Sequence, residues 1–484
     1  MLPFQNLIQI QRKADLPIYI QIVNQLIQLI QKGQLRAGTK LPGSRKLASL
    51  LEVNRNTTVR AYEELEAGGW IDLIPHKGAF VVDSIPDYRM QEWKEDSDLK
   101  MTAPFEFYDF PNLTPPRKSR ITIGFDDGLP DVRLAPVDDL AKAYRKALLR
   151  LADDQNLRYS DGLGNIRLRN ALAEMLNATR GMNVQKEHIL ITRGTIMAIY
   201  LAMATTIRPR DKVIVGAQNY STANMLIRHF GGELCTVPVD EKGIVLDAVE
   251  LMVKKQNIRA IYVTSHHHHP TTVTLSPDRR LRLIQLAYQY GFAILEDDYD
   301  FDYHYDNTPV LPLASHDTEG MVLYFGSFTK TIAPAFRVGY LVASANLIQR
   351  LSKLRKILDR QGDLVLEEAI ADLIEDGTIR RHLRKSWRIY KKRRDICSAY
   401  LKSEVGNVFD FQVPKGGLAI WAKVDRAFPL DKLREKAQRV DLHLFDPSFE
   451  SAQSLNACRL GFASLNEQEL SKSIDVLGRL IQEF

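Results

Sequence analysis

Residues 41–62 read LPGSRKLASLLEVNRNTTVRAY, and the punctuation of this stretch places two helices around a tight connection. Leu41-Pro42-Gly43 makes a turn, and Ser44 is a good N-cap for a helix over Arg45–Leu51. Asn54 can cap the next helix, which runs to Ala67 with Val59, Tyr62 and Leu65 inward, and Gly68-Gly69 ends it. Working outward, Ile18–Lys32 sets Ile22, Leu26, Leu29 and Ile30 on one helical stripe, and Gly33 stops it. On the other side, Trp70–Leu73 and Ala79–Val82 alternate as short strands around Pro75-His76-Lys77-Gly78. Three helices and a two-stranded wing make a winged helix-turn-helix.

Such a unit fits DNA, because a helix enters the major groove, about 12 Å wide. Arg45 opens the first helix of the pair. Asn54, Arg55, Asn56 and Thr57 open the second, where backbone N–H groups also face phosphate. His76 and Lys77 at the wing tip, beside Gly78, suit a minor groove. Caps and a solvated basic face would explain several of these residues equally well. Charge favours a polyanion: residues 1–82 hold ten basic and six acidic side chains, +4 of the chain's +6.

The full 484 residues suggest roughly three units by length. With 26% charged and 45% hydrophobic residues, disorder, collagen and disulfide scaffolds are excluded for the whole. There is no apolar run of about 18 residues and no secretory leader pattern, so a cytoplasmic protein with no membrane partner is expected. Cys235, Cys397 and Cys458 are far apart, which fits reduced thiols and offers no zinc spacing. Residues 84–120, with an acidic cluster, several prolines and no period, read as a linker between units 1–83 and 121–484.

The larger unit alternates apolar runs with amphipathic helices and carries four local features. Gly326-Ser327-Phe328-Thr329-Lys330, with Arg337 seven residues on, suits a phosphate-bearing carbonyl cofactor. Lys330 would form the Schiff base, and Ser327, Thr329 and Arg337 would hold the dianion. Ala293–Asp300 is an apolar strand ending in acids, where a carboxylate can pair with a pyridine nitrogen or, equally, bind Mg²⁺. Gly194-Thr195 at a helix start makes an anion cradle. Arg459, on a short strand near the end, suits a carboxylate.

The motifs carry two resemblances. Pro17 to Ile71, through Leu41-Pro42-Gly43-Ser44-Arg45 and Val53-Asn54-Arg55-Asn56-Thr57, resembles the GntR-type winged helix. Tyr159-Ser160-Asp161, Glu296-Asp297-Asp298-Tyr299 and Lys330 to Tyr340 look like a fold-type I aminotransferase that binds pyridoxal 5'-phosphate. Joined, they resemble the MocR/GabR subfamily of GntR-type regulators, in which an aminotransferase-like α/β domain with large and small lobes serves as a sensor. The resemblance implies Lys330 as the cofactor lysine, Asp297 on the pyridine nitrogen and Tyr299 at the phenolic oxygen. It puts Tyr220 on the ring, Gly194, Thr195, Ser327, Thr329 and Arg337 around the phosphate, and Arg459 on a ligand carboxylate. It also implies promoter DNA, an amine or amino-acid effector and a homodimer.

Departures from the pattern bear on the ligand. Ser265-His266-His267-His268-His269-Pro270-Thr271-Thr272 keeps the family histidine at His267, but histidines replace the next polar and aromatic residues and Thr272 replaces glycine. Arg193 replaces a small residue, and Thr222 stands where some members carry a second arginine. On a strand, adjacent histidines would point to opposite faces, so no metal site is expected, and His269 is placed beside the cofactor ring. The run Lys391-Lys392-Arg393-Arg394 reads as a solvated helix face. Three functions stay open: a regulator sensing an amine or amino acid, a working aminotransferase, and a regulator sensing pyridoxal phosphate itself.

Overall fold

The computed structural model describes residues 4–12, 14, 16–83, 105–106, 123–153, 157–305, 310–445 and 456–484. Two units separate, Met1–Tyr108 and Asp109–Phe484. Apart from residues 105 and 106, the segment read as a linker lies outside the described residues.

The first unit holds helices α1 (Phe4–Leu7), α2 (Ile18–Gln31), α3 (Ser44–Leu50) and α4 (Arg55–Ala67), then strands β1 (Ile71–Ile74) and β2 (Gly78–Val81). The α2 stripe is buried, Ile22, Leu26 and Ile30 fully so, against Leu47 of α3, Leu65 of α4 and Trp70. Each such side chain is worth roughly 1.5–3 kcal/mol. Gly33 ends α2 at φ +71°, a backbone state that disfavours a side chain. The strands pair antiparallel, Ile71 opposite Val81 and Ile74 opposite Gly78. One local expectation fails: Ser44 is the first residue of α3, and Gly43 sits at the cap without a side-chain bond. The Ser44 carbonyl instead lies 2.9 Å from the Thr58 hydroxyl.

The second unit is built on a seven-stranded sheet. Its chain begins with β3 (Ile123–Phe125), α5 (Val137–Asp153) and α6 (Ile166–Arg180). There follow β4 (Ile189–Thr192), α7 (Thr195–Thr206), β5 (Lys212–Gly216), α8 (Ser221–His229) and β6 (Glu233–Val237). A short hairpin, β7 (Val239–Asp240) and β8 (Gly243–Ile244), leads to α9 (Leu246–Lys255), β9 (Ile258–Val263), α10 (Pro277–Tyr290) and β10 (Ala293–Asp297). β11 (Val322–Ser327) and β12 (Gly339–Val342) complete the sheet, in the order β4-β12-β11-β10-β9-β5-β6. β12 is antiparallel to both neighbours, and the other pairs are parallel. The C-terminal ends of β4, β11, β10, β9 and β5 therefore share one edge, the place where open α/β sheets hold ligands.

Helices α11 (Ala345–Leu358), α12 (Leu364–Glu375) and α13 (Thr378–Val405) lead to a smaller lobe. There β13 (Phe409–Phe411), β14 (Ala419–Val424), α14 (Leu430–Arg439), β15 (Leu442–Leu444), β16 (Ala457–Gly461) and α15 (Glu467–Gln482) enclose their own core. β14 lies between β13 and β16, and β3 joins this lobe by pairing parallel to β15. The basic run within α13 is only half on the surface, against expectation. Arg393 and Arg394 are 7% and 9% exposed. Arg393 ion-pairs Asp131 at 2.9 Å, and Arg394 donates to the Pro414 carbonyl at 3.1 Å. The cause is long-range packing of α13 against β-loops that present acceptors. No described helix is long and apolar enough to cross a membrane.

Candidate functional site

In the first unit, α4 begins where Asn54 accepts from the Asn56 N–H at 2.9 Å. That bond caps the helix and leaves Arg55 and Asn56 exposed on its first turn. Arg45 is exposed at the start of α3, and Thr57 is half-buried. Two buried groups join the helix starts. The Thr58 hydroxyl lies within hydrogen-bond distance of the Ser44 and Arg55 carbonyls, and the Tyr62 hydroxyl donates to the Pro42 carbonyl at 2.6 Å. The wing turns at exposed His76 (φ +63°), Lys77 and Gly78 (φ +113°).

In the second unit the residues singled out in the sequence gather along the C-terminal sheet edge. Lys330, after β11, donates through Nζ to the Gly128 carbonyl at 2.6 Å and lies 6.0 Å from the Tyr299 ring centre. Burial pulls its pKa down, and Asp127, Asp126 and Asp300 only partly offset that. Asp297 ends β10 at 4% exposure. Its Oδ2 accepts from the Tyr262 hydroxyl at 2.6 Å, whereas Oδ1 is buried with no partner among the described residues. Burial first, then Asp298 and Asp300, push its pKa up to about 7. An orphaned carboxylate oxygen of this kind is costly unless a donor arrives.

The anion cradle is equally specific. Gly194 caps α7 at φ +78° without a side-chain bond, leaving the first-turn N–H groups to another acceptor. A Cβ there would meet the Arg337 guanidinium at 2.6 Å, and one on Gly339 would meet Gly194 itself. Arg337, at φ +51°, donates to the Arg193 carbonyl at 3.1 Å. The Arg193 side chain turns away to Asp359 at 2.9 Å, so this departure does not fill the cradle. Ser327 Oγ accepts from the Thr329 N–H at 3.3 Å.

The histidine run is not a strand. It lies in the loop after β9, which frees each ring to take a separate direction. His266 Nδ1 meets Asp298 at 3.1 Å, His267 Nδ1 meets Asp300 at 2.8 Å, and His269 Nε2 meets Asp127 at 2.8 Å. His268 bonds the Thr271 hydroxyl at 2.9 Å, and burial pushes its pKa down to about 3. No metal-binding group occurs among the described residues. The His269 ring packs edge-on to Tyr220 at 5.3 Å and lies 6.4 Å from Tyr299.

Arg459 on β16 is 1% exposed and heavily engaged. Nε meets Asp127 Oδ1 at 2.9 Å, Nη1 donates to the Pro270 carbonyl at 2.8 Å, and Nη2 donates to the Tyr299 hydroxyl at 3.3 Å. Tyr299 in turn donates to the His267 carbonyl at 2.7 Å. Sequence reasoning missed Asp126, Asp127, Gly128 and Tyr262. The available signal was Asp126-Asp127-Gly128, two acids and a glycine directly after a short apolar run.

Family comparison decides the assignment. Residues 121–477 match the model of aminotransferase class I and II. The chain belongs to that family. Residues 18–81 match the bacterial regulatory proteins of the gntR family, so a regulator-type helix-turn-helix precedes the aminotransferase unit. The uncharacterised HTH-type transcriptional regulator YdfD of Bacillus subtilis is 27% identical, covering 98% of both chains. The probable rhizopine catabolism regulatory protein MocR of Rhizobium meliloti is also 27% identical, over 97% of this chain and 94% of its own. Among solved structures, the α-aminoadipate aminotransferase LysN of Thermus thermophilus, complexed with N-(5'-phosphopyridoxyl)-L-leucine, is 26% identical. It covers 75% of this chain and 92% of its own at TM-score 0.69. The GntR-type, MocR-like architecture is thus that of a DNA-binding regulator fused to an aminotransferase fold.

Proposed function

We propose that this chain is a cytoplasmic, homodimeric transcription regulator that binds promoter DNA through residues 1–83. In this reading it senses an amine or amino acid through residues 121–484, with 84–120 as linker. The observation that carries the proposal is the exposed set Arg45, Asn54, Arg55, Asn56, His76 and Lys77 on two helix starts and a wing, in one chain with a cofactor-type sheet edge. An enzyme has no use for the former. Relatives named as an HTH-type transcriptional regulator and as a probable catabolism regulatory protein match along nearly their full length, which supports the same reading.

The residues at the sheet edge fit pyridoxal 5'-phosphate. Asp297 Oδ1 lacks a partner among the described residues and would accept the ring N–H, and the Gly194–Thr195 turn would take the phosphate with Ser327, Thr329 and Arg337. Tyr220 and His269 would flank the ring, and Tyr299 would stand at its phenolic oxygen. Bound there, the cofactor supplies an electrophilic carbonyl and an electron-accepting ring. Lys330, its pKa lowered by burial, would present its amine to that carbonyl.

Promoter binding tests the first half. Affinity should fall steeply with salt, and Arg55→Ala should cost about 1–3 kcal/mol. Unchanged affinity in fluorescence anisotropy would refute the readout. For the second half, an absorbance band near about 420 nm should form with pyridoxal phosphate and be absent in Lys330→Ala. A second reading, a working aminotransferase, is favoured by the presence of both Lys330 and Asp297, and sustained turnover of amino donors would establish it.

A further inference from the structure

Asp127 stands where a ligand's carboxylate was expected. Its Oδ1 takes Arg459 Nε at 2.9 Å and His269 Nε2 at 2.8 Å. The Arg459 guanidinium spends its remaining contacts on the Pro270 carbonyl and Tyr299. The contact is built into the fold. Asp126 Oδ1 accepts from the N–H groups of Gly128 and Leu129 at 2.7 and 2.8 Å, closing the turn. The Asp126 carbonyl accepts from the Gly461 N–H at 2.9 Å, which bolts that turn to the strand carrying Arg459. Gly461 has no room for a Cβ, which would lie 2.2 Å from Asp126 Oδ1. The turn also reaches the chemistry, because Gly128 accepts from Lys330 Nζ.

Accordingly, we infer that Asp127 is the specificity-determining residue of the effector site, neutralising Arg459 from within and selecting a primary amine that lacks a carboxylate beside its amino group. The pairing of Asp127 with Arg459 argues this way. Arg459 is a permanent cation, and Asp127 already balances it. The opposing burial and the attraction of His269, Arg459 and Lys330 resolve in favour of an ionised Asp127. A ligand carboxylate would displace or adjoin Asp127 and meet a like charge. An amine carries no such group. About a third of the Asp127 side chain (31%) is exposed, so an entering ligand meets it directly.

The inference rests on the proposed cofactor site, and the experiment separates the two. Full-length wild type, Asp127→Asn and Asp127→Ala are loaded with pyridoxal phosphate and titrated by calorimetry and difference absorbance. The probes are two matched pairs: 3-methylbutylamine with L-leucine, and 1,5-diaminopentane with L-lysine. Wild type should bind each amine at least tenfold more tightly than its amino acid. Both variants should close or reverse that gap, with Asp127→Asn keeping the shape of the turn should Asp127→Ala fold poorly. Equal or tighter binding of the amino acids by wild type overturns the inference. So does failure of every amine to bind, or a preference that neither variant moves. Wild type that takes up cofactor but prefers amino acids sinks this inference alone, whereas failure to take up cofactor sinks the cofactor reading along with it.

Discussion

Replacing Asp297 by Asn tests whether a buried, half-satisfied carboxylate waits for a donor. The sign follows from protonation. Burial raises the folded-state pKa from 3.8 to about 7. The group therefore contributes stability fully only below its unfolded pKa, and loses it as pH rises through 7. Integrating proton binding in the folded and unfolded states gives a loss of roughly 3 kcal/mol between pH 5 and pH 8 in cofactor-free protein. Asn can still accept from Tyr262 and has no charge to desolvate. Urea unfolding of cofactor-free wild type and Asp297→Asn, followed by tryptophan fluorescence with Trp70 and Trp93 replaced by Phe in both proteins so that Trp387 and Trp421 report, reads the difference at both pH values. The variant should gain on wild type by roughly 3 kcal/mol from pH 5 to 8. Other titrating groups are common to both proteins and largely cancel. Pyridoxal phosphate should then stabilise wild type more than the variant, because only the carboxylate pairs with a protonated ring nitrogen. A change between the two pH values under about 1 kcal/mol would refute the buried-charge argument.

Two smaller predictions follow from single contacts. Gly194→Ala puts a Cβ at 2.6 Å from the Arg337 guanidinium on a positive-φ residue. It should weaken pyridoxal phosphate at least about tenfold, some 1.4 kcal/mol, in an absorbance titration, and unchanged affinity would remove the cradle from the site. Tyr62→Phe leaves the buried Pro42 carbonyl without its donor. It should cost the first unit about 1–3 kcal/mol in denaturation while leaving the Lys330 band intact, and a neutral result would show that water replaces the hydroxyl.

Much of the DNA-reading unit was legible because its signals are local. The α2 stripe, the Asn54 cap and the strand pair around Pro75–Gly78 each depend on residues within a few positions of one another. The structure shifts their ends by about one residue, as capping geometry commonly does. Ser44 was misjudged because a serine hydroxyl before a helix resembles a cap whether or not it is used. The second unit was legible through strand-end motifs, which mark Lys330, Asp297 and Gly194 by sequence alone.

The histidine run and the basic run show where such reading stops. Four adjacent histidines imply alternation only on a strand, and in a loop each finds its own partner, three of them aspartates. Arg393 and Arg394 looked solvated because no local pattern reveals Asp131 or Pro414 arriving from distant segments. Asp127 and Arg459 make the same point most sharply, 332 residues apart in sequence. The sequence by itself determined the two kinds of unit and the residue types able to do their chemistry, since periodicity, caps and turns act over short range. Only the tertiary structure decided that β3 joins the C-terminal lobe and that Gly461 holds the Asp126 turn. Asp127 then lies against Arg459, because a charge pair is set by where the backbone carries its members.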